Sequence, residues 1–223
     1  MLRRIMKPVC LIVGAGLGIG QSLALAFARE GYDIALTSRN PAKLKAIQAA
    51  VEKSGGLARG YTAEAGDEAS LRAMLAQVRQ DLGDPEVLIY NPASAHIGKP
   101  TTLTTANLLA DFQMNVAGAL VCAQEVAPAM KANKKGSILL TGGGFAYEPA
   151  ANYASLSLGK AALRNLTYSL AQELGGSGIH VATVTVYGFV QTDTHFDPAR
   201  IAEVFVRLNR QAPGHFKTEY IYK

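Results

Sequence analysis

The chain is poor in cysteine: Cys10 and Cys122 are the only two in 223 residues. Two isolated thiols make no disulfide framework and no metal-binding spacing. Each falls within an apolar stretch, so both read as small buried hydrophobes in a reducing cytoplasm. No apolar run reaches the ~20 residues of a membrane-crossing helix. The opening Met1-Leu2-Arg3-Arg4 is basic, but the apolar residues after it lead into a glycine turn, so no signal peptide is expected. Nor is there a repeat, a low-complexity tract or an interdomain linker. Charge of one sign is not concentrated either. The formal net charge is +5, and the densest basic group is only Lys131, Lys134 and Lys135. Without a basic stripe or an aromatic platform, a nucleic-acid partner is not expected. The remaining class is a globular protein, 49% hydrophobic and 17% charged, read as a single domain over residues 1–223.

What is present is organised by residues 8–20. The apolar run Val9–Val13 reads as a buried strand and breaks at once into Gly14, Gly16, Gly18 and Gly20. Residues 21–29 then show helical periodicity through Leu23, Leu25, Ala26 and Phe27. A strand, a glycine turn and a helix start form an anion site, because free N–H groups and the positive end of the helix dipole face one point. A dinucleotide pyrophosphate suits it.

Strand-like and helix-like stretches alternate along the rest. Strands are expected at Asp33–Ser38, 57–62, 87–90, 136–141, 180–186 and 218–222. Helices are expected at 41–54, 67–82, 104–133, 152–174 and 198–210. Pro41 suits a first helical turn, Asp67 a cap, and Gly118 and Pro128 should interrupt or divide the long run. This alternation predicts an α/β fold: a Rossmann-type, doubly wound, seven-stranded and mainly parallel sheet of order 3-2-1-4-5-6-7, with helices on both faces. Ligands should bind beyond the strand ends, between strands 1 and 4.

With these residues in place, the sequence resembles the short-chain dehydrogenase/reductase family over nearly its whole length. Gly14, Gly18 and Gly20 match its glycine turn. Asn91 matches the asparagine after strand 4, and Asn115 the asparagine in the next helix. Residues 160–163, Lys-Ala-Ala-Leu, match the active-site helix, and 188–192 the segment that meets the nicotinamide carboxamide. Glu64 stands where an aspartate near the adenine is usual. The resemblance implies a cytoplasmic NADP-binding oxidoreductase, a small-molecule substrate, no metal, and a homodimer or homotetramer built on the helix at 152–174. The cofactor residues it assigns are Gly14, Gly16, Gly18, Ile19, Gly20, Ser38, Arg39, Glu64, Asn91, Lys160, Gly188, Val190 and Thr192.

The family's catalytic tyrosine lies four residues before the lysine, and its serine thirteen before the tyrosine. Those positions hold Leu156 and Gly143 here, and Tyr187 replaces the usual proline before Gly188. Lys160 and Asn115 remain as catalytic candidates. Tyr153, seven residues before Lys160, would share its helix face if the helix had already begun there. His96, after strand 4, is a second candidate acid. His195, after strand 6, is another candidate acid, and Tyr147 and Ser155 are looser ones. Arg39 follows strand 2, where an acid would bind the ribose hydroxyls of NAD. A guanidinium suits the 2′-phosphate of NADP, so NADP is expected over NAD. The alternative reading is a catalytically silent NADP(H)-binding sensor or scaffold.

Overall fold

The computed structural model describes residues 7–223, so the basic opening stretch lies outside the described residues. The strands are β1 (Val9–Val13), β2 (Asp33–Ser38), β3 (Ala58–Thr62), β4 (Pro85–Tyr90), β5 (Gly136–Gly143), β6 (Ile179–Val186) and β7 (Glu219–Tyr222). They form one seven-stranded sheet of order β3-β2-β1-β4-β5-β6-β7. Every pairing in it is parallel. This is the expected order, with the reversal between β1 and β4.

The helices are α1 (Ile19–Arg29), α2 (Pro41–Lys53), α3 (Glu68–Leu82), α4 (Thr105–Phe112), α5 (Gly118–Asn133), α6 (Ala154–Leu174) and α7 (Pro198–Asn209). Strand alternation divides the apolar side chains between two cores. Cys10, Ile12 and Ile34 pack with Leu23, Leu44 and Phe205 from α1, α2 and α7. Leu11, Val13 and Leu88 pack with Leu75, Val126 and Leu163 from α3, α5 and α6. Burying both faces of a parallel sheet explains its near-continuous apolar strands. Local signals set several helix starts. Asn40 and Asp67 accept backbone N–H groups at the starts of α2 and α3, and Pro41 occupies the first turn of α2.

The long helical run departs from expectation. It breaks at a π-turn, Gln113–Ala117. α5 then continues through Pro128 without dividing. The break lies where the run crosses the end of β4. There the Tyr90 hydroxyl donates to the Met114 carbonyl, satisfying an acceptor beside the π-turn. Gly118 follows because a Cβ there would collide with the Ala65 carbonyl and the Tyr90 hydroxyl. Contrary to expectation, the run Thr105–Asn133 is one helical stretch, among the described residues, long and apolar enough by length and composition to cross a membrane. Its Val121, Cys122, Val126 and Met130 belong to the core under the sheet.

Candidate active site

The turn after β1 opens the site. Gly14 has φ +83°, and its N–H and that of Ala15 donate to the Thr37 carbonyl. A Cβ on Gly14 would stand 2.7 Å from the Pro92 nitrogen, so the turn can lie against the end of β4 only as glycine. Around Gly16 and Gly18 a Cβ would meet nothing within 4 Å, which leaves open space above the turn. α1 starts at Ile19 without a side-chain cap, and the Gln21 and Ser22 N–H groups donate to the Gly16 and Gly18 carbonyls, which leaves those of Ile19 and Gly20 as the open donors of the first turn. The adjoining cleft, about 270 Å³, is lined by Gly14, Gly16, Ser38, Arg39, Lys43 and Asn91 among others. A glycine cradle, an uncapped helix start and two cations fit an anionic dinucleotide.

Arg39 is exposed and reaches Glu64, with Nη1 3.5 Å from Oε2. Ser38 lies beside it and accepts from the Asn40 N–H. Glu64 also accepts from the Gly66 N–H.

A chain of hydrogen bonds crosses the strand ends. Asn91 Nδ2 donates to the Gly14 carbonyl at 2.9 Å, Thr141 Oγ1 donates to Asn91 Oδ1 at 2.9 Å, and Lys160 Nζ donates to the Thr141 carbonyl at 2.7 Å. The turn, β4, β5 and α6 are thereby held together by Asn91 and Lys160, both expected at the site, and by Thr141, which the sequence did not single out. Lys160 is buried, and burial alone lowers its pKa to about 8. Its stem runs past Gly143, where a Cβ would sit 3.6 Å from its Cγ and Cε. Leu156 is half-buried one turn earlier.

Asn115 is buried in the π-turn and clamps the segment after β4. Its Nδ2 donates to the Ser94 carbonyl, and its Oδ1 accepts from the Ser94 N–H, both at 2.8 Å. One helical turn earlier lies Asp111, which sequence reading missed. It is fully buried, and it accepts from Ser94 Oγ, the His96 N–H and His96 Nδ1. Burial pushes its carboxyl up, but the nearby Ser155 hydroxyl and the hydrogen bonds from Ser94 and His96 outweigh this, so it titrates below the ordinary aspartate range. One signal was available: Asp111 is the single charge in 104–133 before Glu125, four residues from Asn115 and so on the same helix face.

The other candidates are spread around the rim. His96 lines a groove of about 510 Å³ with Arg39, Glu64, Leu109 and Gln113. Tyr153 is not on a helix face, because α6 begins at Ala154. Residues 152–153 are held instead in a bridge to Gly98, which leaves Tyr153 at φ −120° with its ring stacked on Phe145. Tyr147 is bound to Glu219, Ser155 donates to the His96 carbonyl, and His195 stacks on Tyr222. Gly188 lies against the Phe196 ring, while Val190 and Thr192 are exposed on a compact turn closed by Asp197.

A family profile described as short chain dehydrogenase matches residues 8–198. Glucose 1-dehydrogenase of Gluconobacter oxydans is 30% identical over 214 residues, covering 92% of this chain and 79% of that protein. The 2,3-dihydro-2,3-dihydroxybenzoate dehydrogenase of Bacillus subtilis is 27% identical over 185 residues, 83% of this chain and 70% of that one. Among solved structures, a metagenomic short-chain oxidoreductase in complex with NADP is 26% identical, with a TM-score of 0.89 over 96% of both chains. A short-chain dehydrogenase from Sphingobium yanoikuyae in complex with NADPH is 25% identical, with a TM-score of 0.83 over 96% of this chain and 87% of that one. With the profile covering most of the chain, the chain belongs to the short-chain dehydrogenase family.

Proposed function

We propose that the protein is an NADP(H)-dependent oxidoreductase that moves a hydride between the cofactor and a small organic substrate through a non-standard active site. The observation that carries this is the bonded series from the Gly14 carbonyl through Asn91 and Thr141 to Lys160, which ties the pyrophosphate turn to the active-site helix. The bound nicotinamide supplies the hydride. The turn Gly14–Gly20 and the start of α1 hold the pyrophosphate. Ser38 and Arg39 take the 2′-phosphate, Glu64 the adenine edge, Lys160 the nicotinamide ribose, and Gly188, Val190 and Thr192 the carboxamide. Asn115 positions the segment after β4 through Ser94. The NADP and NADPH bound to the two similar solved proteins support the choice of cofactor.

Leu156 and Gly143 leave the site without the hydroxyls that the family resemblance leads one to expect. This favours a second reading, an NADP(H)-binding protein without turnover. The reading extends to a cytoplasmic homodimer or homotetramer. One experiment separates enzyme from silent binder: titration calorimetry with NADPH, then absorbance of the bound cofactor during incubation with a carbonyl panel. Binding with cofactor oxidation supports the enzyme. Binding without oxidation of any panel member supports the silent protein.

A further inference from the structure

The segment after β4 carries one imidazole to the wall of a groove, and a buried carboxylate decides how that ring is used. His96 Nδ1 lies 2.9 Å from Asp111 Oδ1; the ring is half exposed and the carboxylate has no solvent exposure. Asp111 also accepts from Ser94 Oγ and from the His96 N–H, so it stands as an acceptor toward every group around it. Nδ1 must then carry the hydrogen of the neutral ring, because a lone pair there would face a carboxylate oxygen. Nε2 is left as an acceptor, and no group among the described residues donates to it. The neutral ring has no proton to give to the groove, which departs from the expectation of His96 as an acid.

The groove, about 510 Å³, is lined by His96, Arg39, Glu64, Gln113 and Met114 among others. Arg39 and Met114 also wall the cofactor cleft, so the groove adjoins that cleft. Glu64 brings a second acceptor. Its Oε1 takes the Gly66 N–H at 3.3 Å and its Oε2 meets Arg39 Nη1 at 3.5 Å. Both contacts are long, and a carboxylate has about four lone-pair sites, so acceptor capacity remains. The charged and titratable groups around His96 are thus Asp111 behind the ring and Arg39 and Glu64 in the groove. Two acceptors in one groove suit a ligand group that carries two N–H bonds.

We propose that His96 Nε2 and Glu64 together read the exocyclic amino group of the cofactor's adenine, each accepting one of its two N–H bonds. This rests on the NADP(H) reading above, which gives the adenine edge to Glu64 alone. The consequence is selectivity for the base. Hypoxanthine has an oxo oxygen in place of the amino group, and that oxygen only accepts. Set against Nε2 and a carboxylate, it leaves both acceptors without a donor, and a site built to bind an N–H rejects a ligand that lacks it.

The test is calorimetry on the full chain with NADPH and with its deamino analogue, the reduced hypoxanthine dinucleotide phosphate. Wild type should prefer NADPH by about 10–100-fold, from two hydrogen bonds at about three- to tenfold each. His96→Phe keeps a ring but no acceptor. It should weaken NADPH binding and leave the analogue unchanged, so that the preference falls about three- to tenfold. A purely structural role for His96 would weaken both ligands alike; that result, or an unchanged preference, would overturn the proposal. His96→Gln decides the matter if the phenylalanine variant fails to fold. Its amide can turn an NH₂ toward the oxo group, so the preference should fall there too, and an unchanged preference would again overturn the proposal. Heteronuclear NMR of the cofactor-free protein should find Nε2 to be the nitrogen without hydrogen in the neutral His96 ring, and a hydrogen on Nε2 would overturn the assignment. Wild-type protein that binds both dinucleotides equally would overturn this proposal alone. Protein that binds neither would overturn the NADP(H) reading, and this proposal with it.

Discussion

Asp111 accepts the Nδ1–H of His96 at 2.9 Å from a position with no solvent exposure. The same carboxylate accepts Ser94 Oγ at 2.6 Å and the His96 N–H at 2.7 Å, so one acid fixes the segment that follows β4. Asp111→Ala would leave a part-buried backbone N–H and hydroxyl without their acceptor, at about 1 kcal/mol, below the ~1–3 kcal/mol of fully buried groups. The sign with pH follows from the lowered pKa. The carboxylate contributes its full stability above the unfolded value near 3.8 and loses it as pH falls through the lower folded value. Urea unfolding should therefore show a gap between wild type and Asp111→Ala at neutral pH, and a smaller one in strong acid. An equal gap at both would count against an ionised Asp111.

Lys160 has the opposite consequence. Its folded pKa, about 8, lies below the ordinary 10.5, so the unfolded chain binds more protons between those values. Stability due to this group therefore rises with pH across that window. Relative to Lys160→Met, wild type should gain on the order of 2 kcal/mol between pH 8 and pH 10.5. The comparison is of two unfolding curves at each pH, so other titrating groups cancel. A flat difference would place Lys160 in a wetter environment than its burial indicates.

The sheet order was legible because each strand is an apolar run between turn residues, and alternating strands and helices admit few parallel arrangements. The glycine turn, Arg39, Asn91 and Lys160 carry local signatures that survive folding. The rest depended on contacts distant in sequence. Nothing near Gln113 announces a π-turn. It arises where the helix meets Tyr90, far back in the chain. Tyr153 has an apolar-periodic neighbourhood, but a backbone bridge to Gly98 holds it outside α6. Pro128, the obvious breaker, is absorbed inside α5.

Gly118 opposes two terms of known size. Alanine in a helix is favoured over glycine by about 1 kcal/mol. A Cβ at this site, however, would overlap the Ala65 carbonyl and the Tyr90 hydroxyl, and overpacking costs about 1–3 kcal/mol or more. Gly118→Ala should thus be net destabilising, with a lower midpoint in thermal unfolding. Tyr90→Phe, which removes one of the two obstructing oxygens, should return part of that loss in the double variant. A neutral Gly118→Ala would mean that α5 can shift outward freely.

Arg39 and Glu64 meet at 3.5 Å in solvent, and exposed pairs of this kind are worth little, about 0.2–1 kcal/mol. Arg39 is therefore free to exchange Glu64 for a phosphate at small cost. NADPH should bind more tightly than NADH, and Arg39→Asp should reverse the order. One charge-assisted phosphate contact is worth about 1.5–3 kcal/mol, roughly ten- to a hundredfold in affinity. Glu64→Gln should change NADPH binding less than Arg39→Asp does. Equal calorimetric affinities of the unmodified protein for NADPH and NADH would rule out this role for Arg39.

Position 143 also has room for the group it lacks. A Cβ there would sit 3.6 Å from the Lys160 stem, an ordinary contact distance, so Gly143→Ser should fold without displacing the lysine. Leu156 is half-buried, four residues ahead of Lys160 on the same helix face. Leu156→Tyr would bring a phenol toward Nζ, and a neighbouring ammonium favours the phenolate and lowers the phenol pKa. The double variant should then reduce simple ketones faster than wild type. The ceiling is the 10²–10⁴-fold that general acid catalysis typically contributes. Lys160→Met added to the double variant should remove most of the gain, because the new phenol would titrate near its ordinary value. The checking measurement is kcat/KM for one ketone across pH in all three proteins. A gain that survives Lys160→Met would show that the phenol acts without the lysine, and no gain in a folded double variant that binds NADPH would show that the crevice does not bring a ketone to position 156.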